Sequence, residues 1–278
     1  MDRRFNPTLT LVYLPHLDYE LQRVGPVIAK VGKDLSEIDA VVGSLLDHYE
    51  KAGARVIALS EYGIAPVSRP VHLNRVLREA GLLAVREELG RELLDAGASK
   101  AFAVADHQVA HVYVNDPTYL DEVRRLIEST SGVERVLGDY TKHEVHLDHP
   151  RSGELIAIAT PDAWFTYYYW LDESRAPDFA HTVDIHRKPG YDPAELFIDP
   201  TLPVPKLNIA ITLLRKKLGF RTLLKVIPTD ASLVRGSHGR AAAMPEESPI
   251  LLSPRGIETR GHVEATDVFN VILSHLTA

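Results

Sequence analysis

Leu9-Thr10-Leu11-Val12-Tyr13-Leu14, running into Pro15-His16-Leu17-Asp18, is the stretch on which the fold turns. The first six residues carry no charge and are apolar, aromatic or β-branched, which is the composition of a buried strand, and a proline then stops the run. Residues 31–53 follow with Leu35, Ile38, Val41, Val42, Leu45 and Leu46 at a helical period, closed by Gly53. Arg55-Val56-Ile57-Ala58-Leu59-Ser60 is a second strand-like run. Strand, helix and strand over about 45 residues is the pattern of a parallel pair joined by a crossover helix, so the sequence predicts an α/β fold with a mostly parallel sheet.

Ligands of such sheets gather beyond the carboxyl ends of the strands. Those ends are Pro15-His16-Leu17-Asp18 and Ser60-Glu61-Tyr62-Gly63, so the carboxylates of Asp18 and Glu61 fall at one edge of one sheet. That is the arrangement a metal site needs. Further along, residues 102–105, 109–114 and 155–159 read as strands, residues 120–129 as a helix, and residues 142–153 as a His- and Asp-rich loop. A short basic amphipathic helix is expected around residues 213–218 and a last helix ending near Leu276.

Composition narrows the chemistry. The 278 residues hold no cysteine, which excludes disulfides, thiolate metal sites and thiol nucleophiles. Any metal must be held by oxygen and imidazole. Thirty-one basic against 38 acidic residues give a net charge of -7, which offers no general attraction for nucleic acid. A mean hydropathy of -0.09 and apolar runs of strand length argue against a membrane span, and no basic, apolar leader opens the chain, so a cytoplasmic location is the expectation.

Three motifs carry a resemblance: residues 11–18 with Gly25-Pro26 after them, Ser60-Glu61-Tyr62-Gly63-Ile64, and Gly236-Ser237-His238-Gly239. In order and spacing they resemble the alkaline phosphatase superfamily, in its type I phosphodiesterase/nucleotide pyrophosphatase branch. The resemblance implies a three-layer α/β/α core over residues 1–278, with residues 100–200 as an insert or cap-like region. It also implies that the N-terminal part of that core, with the family's Thr or Ser nucleophile, is absent from this chain. An incomplete sheet would then invite pairing with another chain.

By the same resemblance, Asp18 takes an Asp ligand position and Gln22 the position of a His four residues on. Glu61 and Tyr62 take the positions of an Asp-His pair, while His238 keeps its His. Glu61 retains a hard oxygen on a longer arm, Gln22 offers a neutral carbonyl, and Tyr62 binds a hard cation only as phenolate. The set Asp18, Gln22, Glu61, Tyr62 and His238 leans toward manganese or magnesium over zinc, with up to two ions in an intact site. The implied activity is metal-dependent hydrolysis of phosphate mono- or diesters or nucleotide pyrophosphate bonds, on a small phosphorylated substrate. The alternative is a catalytically degenerate scaffold acting as a binding or complex-forming subunit, supported by Gln22 and Tyr62.

His107 and His111 stand four apart, but a strand over residues 103–114 would separate them, leaving one to line the site. Asp184, His186 and the Gly/Pro-rich residues 188–193 read as a turn or a substrate loop, with His186 as a substrate contact. Arg240, beside His238, is a candidate phosphate contact. The aromatic run from Trp164 to Trp170 reads as core.

Overall fold

The computed structural model describes residues 7–242, 244–254 and 261–277. Helix α1 (His16–Val24) starts directly after Pro15, and α2 (Ile28–Lys51) packs against it. Strands β1 (Ala58–Leu59), β2 (Ala65–Pro66) and β3 (Arg69–Val71) are short. Helix α3 (Leu73–Glu79) leads into the hairpin of β4 (Val85–Glu88) and β5 (Arg91–Leu94). Then come β6 (Ala101–Asp106), β7 (Val109–Val114), α4 (Leu120–Glu128), β8 (Val133–Leu137), β9 (Leu155–Ala159) and β10 (Ala163–Phe165). Helix α5 (Pro205–Lys217), β11 (Gly236–Ser237), β12 (Leu251–Leu252) and α6 (Val268–Thr277) complete the order.

The expected mostly parallel three-layer core is not what forms. The largest sheet is four-stranded, in the order β6-β7-β9-β8, and every pair in it is antiparallel. Of all the named strands, only β3 and β10 pair in parallel. The physical reason lies in residues 9–14 and 55–60. A strand exists only where a partner completes its ladder. Residues 9–14 lie outside any strand, with Leu11 80% and Tyr13 76% exposed, and the second run forms only the two-residue β1, which pairs antiparallel with β12. Helix α2 therefore crosses between no pair of parallel strands.

The core sits on one face of the four-stranded sheet. Burial alternates along β6 and β7, as it must where one face is packed and the other faces out. The packed face of β6 is Ala101, Ala103 and Ala105, small enough to admit the aromatic cluster behind it. Trp164, Tyr167, Tyr168, Tyr169 and Trp170 are all buried there, the last four in edge-on and tilted ring pairs. Asn74 on α3 fixes the edge of that sheet. Its side chain accepts from the Ala103 N–H at 2.7 Å and donates to the Ala103 carbonyl at 2.8 Å, satisfying an edge that no named strand covers among the described residues. Among the described residues no helix is long and apolar enough to cross a membrane.

Candidate active site

Asp18 and Gln22 stand one turn apart on α1, so their side chains share a face. Gln22, fully buried, donates from Nε2 to Asp18 Oδ2 at 3.0 Å. The loop between β1 and β2 brings in Tyr62, whose hydroxyl donates to Asp18 Oδ1 at 3.0 Å. Strand β11 lies against α1, where the Arg235 N–H donates to the Gln22 carbonyl at 2.9 Å. Gly236 permits this approach, since any Cβ there would collide with the Leu21 carbonyl. The next turn delivers His238, whose ring stacks on Tyr62 with centroids 3.7 Å apart.

A second hairpin completes the cluster. Strands β6 and β7 are joined by the two-residue turn His107-Gln108, and His107 adopts a left-handed φ of 57°. A β-carbon residue held in that region costs free energy, and surrounding contacts must hold it there. Those contacts are visible. Gln108 N–H donates to the His238 carbonyl at 2.9 Å, and Phe165 N–H donates to the His107 carbonyl at 2.7 Å. The His107 ring, buried, lies 3.7 Å from that of His238 and 4.5 Å from that of Tyr191. Tyr62, His238, His107 and Tyr191 thus form one column of rings. His107 Nδ1 is 2.8 Å from Asp106 Oδ1, and Nε2 is 3.3 Å from Gln22 Oε1, so a polar chain runs from Asp106 through His107 and Gln22 to Asp18.

The electrostatics follow from this enclosure. Burial, reinforced by the neighbouring His107, lowers the His238 pKa to about 4, which leaves its imidazole neutral at neutral pH. Burial and the Asp18 carboxylate push both the Tyr62 and Tyr191 hydroxyls well above the ordinary phenol range. Both stay protonated. The hydrogen bond to His107 holds Asp106 below the usual carboxylate range.

Of the residues singled out in the sequence, Asp18, Gln22, Tyr62 and His238 meet. Glu61 is exposed next to Tyr62, and its charge contributes to the rise of the Tyr62 pKa. His186 is exposed, and the residue of its segment that reaches the cluster is Tyr191. Arg240 pairs with Glu134 at 2.7 Å, while its Nε and Nη1 are buried without a hydrogen-bond partner among the described residues. The sequence places His107 beside His111 in a strand, whereas it stands in the turn between two strands. The signal for it was Asp106-His107 breaking the alternation between two apolar runs, which marks a tight turn. His111 is elsewhere, accepting from the Gly153 N–H at 3.2 Å.

Gly190 sets Tyr191 in place. Its φ of +128° suits glycine alone, and a Cβ would lie 2.5 Å from the Ala105 carbonyl, where the Tyr191 N–H also bonds. Gly190→Ala is expected to lower stability by about 2 kcal/mol and to loosen Tyr191 from His107. Urea unfolding together with the ring-shifted His107 proton resonances would check this, and unchanged values for both would contradict it.

Among the described residues, one group of three His, Asp or Glu side chains has its ligand atoms within 4.8 Å of one another, namely His16, Asp34 and Glu37 on α1 and α2. It is partly exposed and consistent with at most one ion, not two.

A family model for type I phosphodiesterase/nucleotide pyrophosphatase matches residues 1–192 of the 278. No curated protein matches the sequence. Among solved structures, murine ectonucleotide pyrophosphatase/phosphodiesterase 5 is similar at 17% identity, covering 53% of this chain and 36% of that one, with a TM-score of 0.39. The human form of that protein gives 18% identity over 54% of this chain and 37% of that one, with a TM-score of 0.40. Phosphonoacetate hydrolase from Sinorhizobium meliloti 1021, in complex with phosphonoacetate, gives 16% identity over 57% and 37%, with a TM-score of 0.39. The chain spans less than two-fifths of the length of these proteins.

Proposed function

Since the chain belongs to the type I phosphodiesterase/nucleotide pyrophosphatase family, in a superfamily of hydrolases acting on phosphate ester and anhydride bonds, we propose that it serves hydrolysis of phosphodiester or nucleotide pyrophosphate bonds at the Asp18–His238 cluster. The observation that carries this reading is the convergence of Asp18, Tyr62 and His238 from three distant segments, with His238 held neutral by burial. A neutral imidazole has a free lone pair at neutral pH, which is the state a metal requires of it.

The donor set fits one ion. Asp18 and His238 would hold it, with Glu61 at the exposed rim and the oxygens of Gln22 and Tyr62 beside them. A divalent cation bound there would polarise a phosphoryl oxygen and offset its developing charge. Gln22 and Tyr62 orient the Asp18 carboxylate, each by one hydrogen bond. Arg240, two residues from His238, would meet a phosphate oxygen only by turning its guanidinium out of its pairing with Glu134, and His186 would meet substrate from the exposed loop. Tyr62 and Tyr191, both kept protonated, are hydrogen-bond donors and poor nucleophiles, so neither is given the role of attacking group.

A second reading has one observation in its favour. Both Asp18 oxygens already accept a hydrogen bond, so an ion there would share the carboxylate with the Tyr62 hydroxyl and the Gln22 amide. A scaffold whose polar cluster has closed on itself would look the same. The two part on metal. Under the hydrolase reading, dialysis against manganese leaves about one ion per chain, and His238→Ala loses it together with roughly a hundredfold or more of any bis-aryl phosphate hydrolysis. No bound ion, with a rate equal to that of His238→Ala, would leave the scaffold reading standing alone.

A further inference from the structure

Helix α5 carries an apolar stripe on the wrong side of itself. Leu207, Ile211, Leu214 and Leu218 fall at i, i+4, i+7 and i+11, so they lie on one face, and each is between 42% and 66% exposed. On the opposite side Ile209 packs on Ala194, Val226 and Ile227, while Leu213 beside it is 53% exposed. The stripe therefore faces solvent. It is flanked by charge of one sign: residues 200–229 contain six lysines and arginines and no Asp or Glu, in a chain of net charge -7. None of the six forms an ion pair among the described residues. Phe220 and Leu223, just past the helix, are exposed as well.

We propose that α5 and the residues after it bind the surface of an anionic lipid bilayer, lying in its plane with the stripe inserted and the cations among the headgroups. An exposed apolar stripe bordered by lysine and arginine is the design of an interfacial helix, which needs neither the length nor the uniform hydropathy of a span. Long cationic side chains extend their apolar stems along such a surface while the charge stays in water. Charge selects this occupant over a second copy of the chain, because two such segments face to face would oppose like charges with no carboxylate between them. Unpaired cations on both flanks also match a diffuse negative surface better than a few fixed acidic side chains.

Flotation of the full chain with vesicles tests it. Binding to vesicles holding roughly 30% phosphatidylserine in phosphatidylcholine is expected, with at least about tenfold less on phosphatidylcholine alone or in 0.5 M salt, as electrostatic attraction demands. K216E combined with K217E should cost a similar factor, and Leu214→Ser should reduce binding to both vesicle types. Neither change touches a buried residue, so circular dichroism should be unaltered. Absence of binding to the anionic vesicles would overturn the proposal. So would equal binding to neutral ones, or a concentration-dependent dimer abolished by Leu214→Ser without lipid binding. The outcome is independent of whether the Asp18–His238 cluster binds metal.

Discussion

Replacing Lys188 with alanine is expected to lower the free energy of unfolding by about 3–5 kcal/mol at pH 7, the cost of leaving a buried charge without its partner. The Lys188 side chain is fully buried, with Nζ 2.7 Å from Asp192 Oδ2 and 2.6 Å from Glu195 Oε1. Asp192 is buried too, and burial raises its pKa while Lys188 draws it back down. Without the ammonium, two carboxylates face each other in a poorly hydrated space beneath the Tyr167 ring. Asp192 would then take up a proton. A carboxyl whose folded pKa lies above its unfolded value adds stability at low pH and loses it as pH rises through the folded value, so the deficit should shrink in acid. Urea unfolding of Lys188→Ala at pH 7 and pH 5 reads both effects. A deficit below about 1 kcal/mol at pH 7 would mean that water reaches the triad. Lys188→Met combined with Asp192→Leu should recover part of the loss, because a neutral pair leaves less charge unmatched.

Acid should destabilise the protein well before its carboxylates titrate. Burial, with Arg75 as the second cause, lowers the His72 pKa to about 4, and burial with His107 does the same for His238. For a group whose folded pKa is depressed, stability is present above the unfolded value, near 6.5, and is lost as pH falls toward the folded value. Between pH 7 and pH 5 the unfolded chain gains a proton at each site while the folded one gains almost none. The expected loss is about 2 kcal/mol per histidine at pH 5. Glu92 and Asp106 are held low by hydrogen bonds from Arg78 and His107, and their share is lost in a lower window, below their own ordinary values. His111 is lowered by burial as well, so unfolding measured at half-unit steps should fall steadily from pH 6.5, and His72→Gln should remove part of the slope. A flat profile from pH 7 to pH 5 would contradict the burial of both rings.

What the sequence made legible was whatever a local pattern can encode. Strands over residues 102–105, 109–114 and 155–159 correspond to β6, β7 and β9, the long helix to α2, and residues 120–129 to α4. The buried aromatic run from Trp164 to Trp170 was equally readable. Residues 9–14 failed because apolar composition identifies a segment that would suit a strand and says nothing about which strand will pair with it. The site shows the same division. Asp18, Gln22, Tyr62 and His238 lie in motifs that can be read one at a time, and they come together. His107 and Tyr191 reach the cluster through a left-handed turn and a glycine contact, both set by tertiary packing.

The His107 turn ties two events together that are separate in most folds. Asp106 and Val109 are direct partners across it, so strand pairing and ring placement depend on a single alignment. A slip of one residue would invert the faces of β7 and carry a different side chain toward His238. The polar centre therefore acts as a proofreading point for the hairpin: a misthreaded β6–β7 pair forfeits the Asp106, Gln22 and His238 contacts at once. Completing the site and aligning the sheet thus require the same register.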